Sequence, residues 1–275
     1  MKATHLLKNL AIYLLLTIGA VIMVFPFLWM LLSSFKTFEE VSKLPPTLFP
    51  TEWHPENYYY AFKTAPFLRY FRNSVIVAAV VGVIQCFTTI LAAFAFSRLR
   101  FRGRDLLFSV SLGMMMVPFE MLVITNYITI AGWGLTDHII AMIIPFTSSI
   151  FHTFILRGFF QSIPDSLYYS ARIDGASNWA YLWRVMVPMA KPAIVTNILL
   201  GTITSWNSFL WPMLVTNVPK SRTLPFGLYA FMAEAGIRYE RLMAGATIVV
   251  LPMIILFLFA RRSIVTGVAR GGIKG

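Results

Sequence analysis

Six apolar stretches, each about as long as the roughly 20-residue helix that crosses a bilayer, leave this 275-residue chain few architectures to fold into. They run over residues 10–32, 73–97, 106–131, 139–156, 192–216 and 242–260, and Glu120 is the sole formal charge inside them. Lipid offers backbone groups no hydrogen bonds, so spans of this kind must be helices that satisfy themselves. Composition agrees: 58% of residues are hydrophobic and 12% charged, with a mean hydropathy of +0.72, whereas soluble domains carry about 25% charged residues. The fold class expected is an all-α integral membrane protein, a single domain over residues 1–275 with six transmembrane helices. The first span follows Lys2 and Lys8 as a signal peptide would. It is 23 residues long and no small-residue cleavage site follows, so it is expected to remain as a helix.

The net charge of +12 does not point to nucleic acid, because the basic residues cluster beside apolar runs, as orientation signals do. Of the 23 Lys and Arg, 14 fall to one side of the six-span arrangement and 9 to the other, where most of the acids also lie. Both termini are therefore expected in the cytoplasm, in a multi-pass protein of a bacterial-type cell membrane. The link Arg98-Leu-Arg-Phe-Arg-Gly-Arg104 is the sharpest single signal. Cys86 stands alone, which excludes a disulfide framework or a cysteine metal site. His5, His54, His138 and His152 are scattered and read as structural, and neither a phosphate-binding glycine loop nor an H-E-x-x-H pair occurs. No metal or cofactor is expected, and no nucleophile and base pair suggests an enzyme.

Pro26, Pro118, Pro145, Pro212 and Pro252 interrupt five spans and predict bent helices. Between the first two spans, five prolines from Pro45 to Pro66 alternate with aromatic residues such as Trp53, Tyr58 and Phe67. This loop suits either an interfacial aromatic belt or a docking surface for an external receptor.

The loop over residues 161–191 is the most distinctive segment. Pro164 suits the start of a short helix, with Leu167, Tyr168, Ala171 and Trp179 as its apolar face, and Asp174-Gly175 suits a sharp turn. Pro164, Ala171, Asp174, Gly175, Ala176, Pro188 and Pro192 together resemble the signature by which membrane subunits of ABC importers grip their ATPases. Tyr169 stands where that pattern has glutamate, and Ser170 replaces its first alanine. Ser34-Phe-Lys36, Ala95 to Arg104, Met116-Val-Pro-Phe-Glu120, Trp206 to Pro212 and Gly271-Gly-Ile-Lys-Gly275 extend the likeness over nearly the whole chain. They resemble the second membrane subunit of maltose-type carbohydrate ABC importers, of the binding-protein-dependent transport inner membrane component family.

The resemblance implies a six-helix, type I (MetI-like) permease with a cytoplasmic coupling helix. It implies a homologous second permease, two cytoplasmic ATPase subunits, an extracytoplasmic solute-binding protein and a sugar or oligosaccharide cargo. It assigns ATPase contact to Pro164, Leu167, Tyr168, Tyr169, Ser170, Ala171, Asp174, Gly175, Ala176 and Pro188, and to the tail residues Gly271, Gly272, Lys274 and Gly275. It also implies that the partner permease, more than this one, holds the sugar.

Polar residues within the spans are candidates for a translocation path. Counted along continuous helices at 1.5 Å per residue, Gln85, Glu120 and Asn207 fall about 18 to 23 Å from the cytoplasmic ends, in one layer. An intramembrane carboxylate marks a functional site by default, although Glu120 also follows Pro118 closely enough to serve a kinked backbone. Trp206 and Trp211 offer flat faces for sugar C–H groups, or belong to an interfacial belt. An ATP-independent secondary transporter or channel is the alternative class. It would normally carry several ionisable groups on its path, and here there is one.

Overall fold

The computed structural model describes residues 2–231 and 238–272, with side chains described over 8–231 and 238–259. Helices follow one another along the chain and no strand occurs among the described residues: α1 (Lys2–Ser33), α2 (Phe38–Ser42), α3 (Glu56–Thr64), α4 (Phe67–Arg98), α5 (Arg104–Met114), α6 (Phe119–Gly132), α7 (Ile139–Ile143) and α8 (Ile150–Ser162). There follow α9 (Asp165–Ile173), α10 (Asn178–Tyr181), α11 (Val187–Met189), α12 (Lys191–Trp206), α13 (Leu210–Val215) and α14 (Tyr239–Gly272).

Three unbroken helices, α1, α4 and α14, are long and apolar enough to cross a membrane, and counting each of three bent pairs as one span gives up to six. The bends measure 96° between α5 and α6, 47° between Ile139–Phe146 and α8, and 81° between Asn178–Met189 and α12. Proline explains where two of the helices stop. Its ring clashes with the carbonyl four residues earlier, and α5 ends at Met114, four before Pro118, which is the N-cap of α6. Pro145 sits in a 3-10 turn at the second bend, a place that tolerates its missing N–H. Pro26 and Pro252, by contrast, lie inside helices that continue through them.

The fifth expected span, 192–216, is not one helix. Chain 191–206 is helical, Asn207 to Phe209 break it, and α13 resumes at Leu210 with Pro212 in its first turn. A continuous helix would press the Ser208 carbonyl against the Pro212 ring, so the break relieves a specific clash. On the other side, the expected loop 178–189 is helical, with a π turn over Leu182–Met186, and leads into α12 through the bend at Ala190.

The chain forms two compact units, residues 1–67 with 227–252, and residues 68–226 with 253–275. In the first, the apolar stretch of α1 buries none of its side chains, so lipid or another protein must cover them. The proline-rich loop after it is a folded cap. Asn57, buried, donates to the carbonyls of Ser34 and Lys36 at 3.0 and 2.9 Å. Glu40 accepts from Thr51 N–H and its hydroxyl, while Phe35 packs against Trp53 and Tyr58.

In the second unit α4 is the spine, with a cluster at each end. Val77 and Val81 pack with Val123, Ile130, Met142, Trp211 and Val215. One to two turns before its C-terminus, Ile90, Ala93 and Phe94 pack with Leu156, Phe160, Tyr181, Leu182, Met186 and Ile194.

Candidate functional site

Ser74, Val77, Val81 and Gln85 recur at three- and four-residue spacing, which places them on one face of α4, and that face lines a cavity of about 770 Å³. Much of the remaining wall comes from places where a helix is interrupted. Met115, Val117, Phe119 and Glu120 come from the α5–α6 break, Phe146, Ser148, Ser149 and His152 from the α7–α8 break, and Ser205, Asn207, Ser208 and Trp211 from the α12–α13 break. Irregular backbone at membrane depth is tolerated only where it is buried in protein or lines a wet cavity. Convergence of three breaks on one space meets that requirement.

Gln85, Glu120 and Asn207 thus share one cavity wall system. The depth count along a continuous helix does not apply to Glu120, because α5 and α6 meet at 96°. Glu120 lies in the first turn of α6, where a carboxylate complements the positive end of the helix dipole. Gln85 donates to the Phe146 carbonyl at 3.4 Å, and its side chain occupies the space left by Gly201, where a Cβ would stand 2.5 Å from the amide oxygen. Trp206 does not line the cavity. It is buried, edge-on to Phe71 at 5.8 Å, and Trp211 stands at the wall instead, donating from Nε1 to the Ala141 carbonyl at 3.0 Å. Successive helical residues turn by about 100°, so Ser205 facing the cavity carries Trp206 away from it.

Sequence reasoning missed His152. It is 7% exposed and lines the cavity, and neither ring nitrogen has a hydrogen-bond partner among the described residues. Ser149 caps its helix by accepting from the His152 N–H. A Ser immediately before an apolar helical run was the available signal. Among the described residues no group of three or more His, Cys, Asp and Glu could hold a metal ion.

The second feature is α9. Pro164 is its N-cap, one position before the first helical residue, and Asp165 opens the first turn. The C-terminus closes as a Schellman motif: Ala176 N–H donates to Ala171 O at 2.9 Å and Gly175 N–H to Arg172 O at 3.1 Å. Gly175 sits at φ +78°, the left-handed region glycine enters without penalty. The expected apolar face divides in two. Tyr168 and Ala171 turn inward onto the cluster around Phe160 and Tyr181, and Tyr168 donates its hydroxyl to Asn178 Oδ1 at 2.9 Å. Leu167, Tyr169 and Ile173 point outward at 38, 52 and 86% exposure, joined by Trp179. Ser170, Asp174 and Pro188 are exposed and Ala176 half-buried. Of the tail, Gly271 and Gly272 end α14, while Lys274 and Gly275 lie outside the described residues.

A helical membrane protein whose interrupted spans enclose a cavity, with a short helix presented between two of those spans, has the architecture of a transport permease. The chain belongs to the family described as binding-protein-dependent transport system inner membrane component, whose model matches residues 87–270. It is 33% identical over 273 residues, 98% of each chain, to the inner membrane ABC transporter permease protein YcjP of Escherichia coli (strain K12). It is 30% identical to the arabinooligosaccharides transport system permease protein AraQ of Bacillus subtilis (strain 168), covering 97% of this chain and 96% of that one. The diacetylchitobiose uptake system permease protein DasC of Streptomyces coelicolor is 30% identical over 92% of both chains. A chain of a bacterial ABC transporter that imports the acidic polysaccharide alginate superposes with a TM-score of 0.79, at 23% identity, over 93% of this chain and 96% of its own. The chain is accordingly an ABC transport permease subunit and not an enzyme.

Proposed function

We propose that residues 1–275 work as one permease domain, supplying half of the path by which a sugar or oligosaccharide, delivered by an extracytoplasmic binding protein, enters the cell on ATP hydrolysis by separate ATPase subunits. The observation that carries the reading is α9: an exposed helix offering Leu167, Tyr169 and Ile173 to a partner while its other face is anchored in the permease core. Tyr169, in place of a carboxylate, makes that contact aromatic packing. The tail Gly271, Gly272, Lys274 and Gly275 adds to the same interface. A homologous second permease completes the path and covers apolar surface such as that of α1.

The cavity supports a saccharide cargo. Gln85, His152, Asn207 and the hydroxyls of Ser148, Ser149 and Ser205 offer donors and acceptors, Trp211 offers an apolar ring, and among the described residues the wall holds one carboxylate, Glu120, and no Lys or Arg. Ligand sites of this kind combine an apolar lining with a few placed polar groups. The relatives named for arabinooligosaccharides and diacetylchitobiose support the same class. Both termini lie in the cytoplasm, on the 14 to 9 division of basic residues.

The test is reconstitution of the chain with the second permease, ATPase and binding protein of the same source. Uptake of labelled neutral oligosaccharides should require ATP and the ATPase subunit, and the ATPase should co-purify with the permease pair. Uptake that persists without ATP would instead favour a secondary transporter.

A further inference from the structure

The link that follows α4 carries a basic run whose charges have an evident use as orientation signals, yet its first member does not behave as a surface charge. Arg98, the last residue of α4, has only 5% of its side chain exposed. Its guanidinium donates from Nη2 to the carbonyls of Phe160, at 2.7 Å, and Ile163, and from Nη1 to the carboxylate of Asp165. Phe160 lies in the last turn of α8, Ile163 is its C-cap and Asp165 is the first residue of α9. One planar cation thereby caps the end of α8, taking the Ile163 carbonyl and sharing the Phe160 carbonyl with the Ile163 N–H, complements the negative end of the α8 dipole and reaches the first residue of the exposed helix.

The two helices that meet at this guanidinium are two of those that reach the cavity. Gln85 and Arg98 are both on α4, 13 residues or about 20 Å apart at 1.5 Å per residue. His152 and Ile163 stand 11 residues apart along α8, about 17 Å by the same rise. Between them, Phe94 of α4 and Leu156 and Phe160 of α8 belong to one buried cluster. The cluster is apolar and non-directional; the guanidinium is a directional contact from α4 that fixes the C-cap of α8, two residues before α9 begins.

We propose that Arg98 is the positioning residue that makes α9 move as one body with the cavity walls, so that displacement of α9 by its partner changes access to Gln85, His152 and Asn207. This rests on the reading of α9 as the ATPase contact. Its own prediction concerns transmission. Substitutions should grade by charged bonds lost: Arg98→Gln gives up the bonds to the Phe160 and Ile163 carbonyls, Arg98→Lys keeps a point charge without the fork geometry, and Asp165→Asn loses only an ion pair whose carboxylate is 69% exposed, a kind worth little.

The experiment uses the complete importer in nanodiscs, with Cys86→Ser and Asn207→Cys, and measures the rate at which a small cationic thiosulfonate labels position 207 with and without ATP and vanadate. With Arg98 in place, the two rates differ severalfold. Arg98→Gln brings the ratio to about one and weakens ATPase retention by about tenfold, the scale of one charged hydrogen bond. Arg98→Lys falls between, and Asp165→Asn stays within about twofold of the parent. A full ratio in Arg98→Gln, or an Asp165→Asn loss as large as that of Arg98→Gln, overturns the proposal. A parent chain whose ratio is already one overturns the ATP-driven reading itself, and this role with it.

Discussion

Gly175 closes α9 in the left-handed region, and the neighbourhood is open: a Cβ built there meets no atom within 4 Å. Substitution therefore tests backbone conformation without a packing contribution. An L residue held in the left-handed region costs about 1–2 kcal/mol, a β-branched one more, and Asn less because its short side chain tolerates that region. Each of these costs falls on the two hydrogen bonds of the Schellman closure, Ala176 N–H to Ala171 O and Gly175 N–H to Arg172 O. If the closed end is needed to dock the ATPase, Gly175→Ala should weaken ATPase association by roughly 5–30-fold, Gly175→Asn by less and Gly175→Val by more. Association is read by titrating ATPase onto nanodisc-embedded permease, and loosening of the cap by amide exchange at 175 and 176. An order other than Asn, Ala, Val, or a Val variant that binds as the parent does, refutes the argument, because open space leaves no steric cause to hide behind.

Other consequences follow from single contacts. Asp137, itself at φ +64°, accepts from Val218 N–H at 2.9 Å and from Asn217 N–H. The Val218 N–H, with Asn217 assisting and partial desolvation opposing, holds its carboxyl below the usual range. A depressed carboxyl stabilises the fold in full above its unfolded pKa of about 4 and loses that contribution as pH falls through the folded value. Asp137→Asn should thus lower thermal stability near pH 7 by about 1 kcal/mol, and the gap to the parent should shrink below pH 4. At Gly201, the Cβ of Ala would displace the Gln85 amide; Gly201→Ala should cost about 1 kcal/mol, and combination with Gln85→Ala should cost less than the sum of the two, read by thermal unfolding. Cysteines at Ser42 and Arg102, in a Cys86→Ser background, should label from opposite sides of the membrane; labelling from the same side would refute the proposed orientation.

Hydropathy and proline position are local properties, and what depends on them was legible in the chain. Apolar runs of span length require helices wherever lipid is the solvent, and α1, α4 and α14 enclose the expected first, second and sixth spans. The family likeness rested on order and spacing, which are also linear, and the matched region 87–270 contains the loop that carries it. The helix breaks were readable only in part: prolines announced bends, but hydropathy runs smoothly through Trp206 to Phe209 because tryptophan and phenylalanine flank the two polar residues there.

Tertiary structure decided which side chains meet. Convergence of three breaks on one cavity depends on how α4, α6, α8 and α12 pack, and no residue records its distant neighbours in its own identity. The same reason sends Trp206 inward and brings Trp211 to the wall, and turns Tyr168 and Ala171 into the core while Ile173 is exposed. Arg98 and Arg102 are chemically alike in a basic link, and a charge count weighs them equally. Only the fold places one guanidinium beneath the end of α8 and leaves the other in the open link, because burial of a cation depends on the carbonyls that tertiary packing brings within reach.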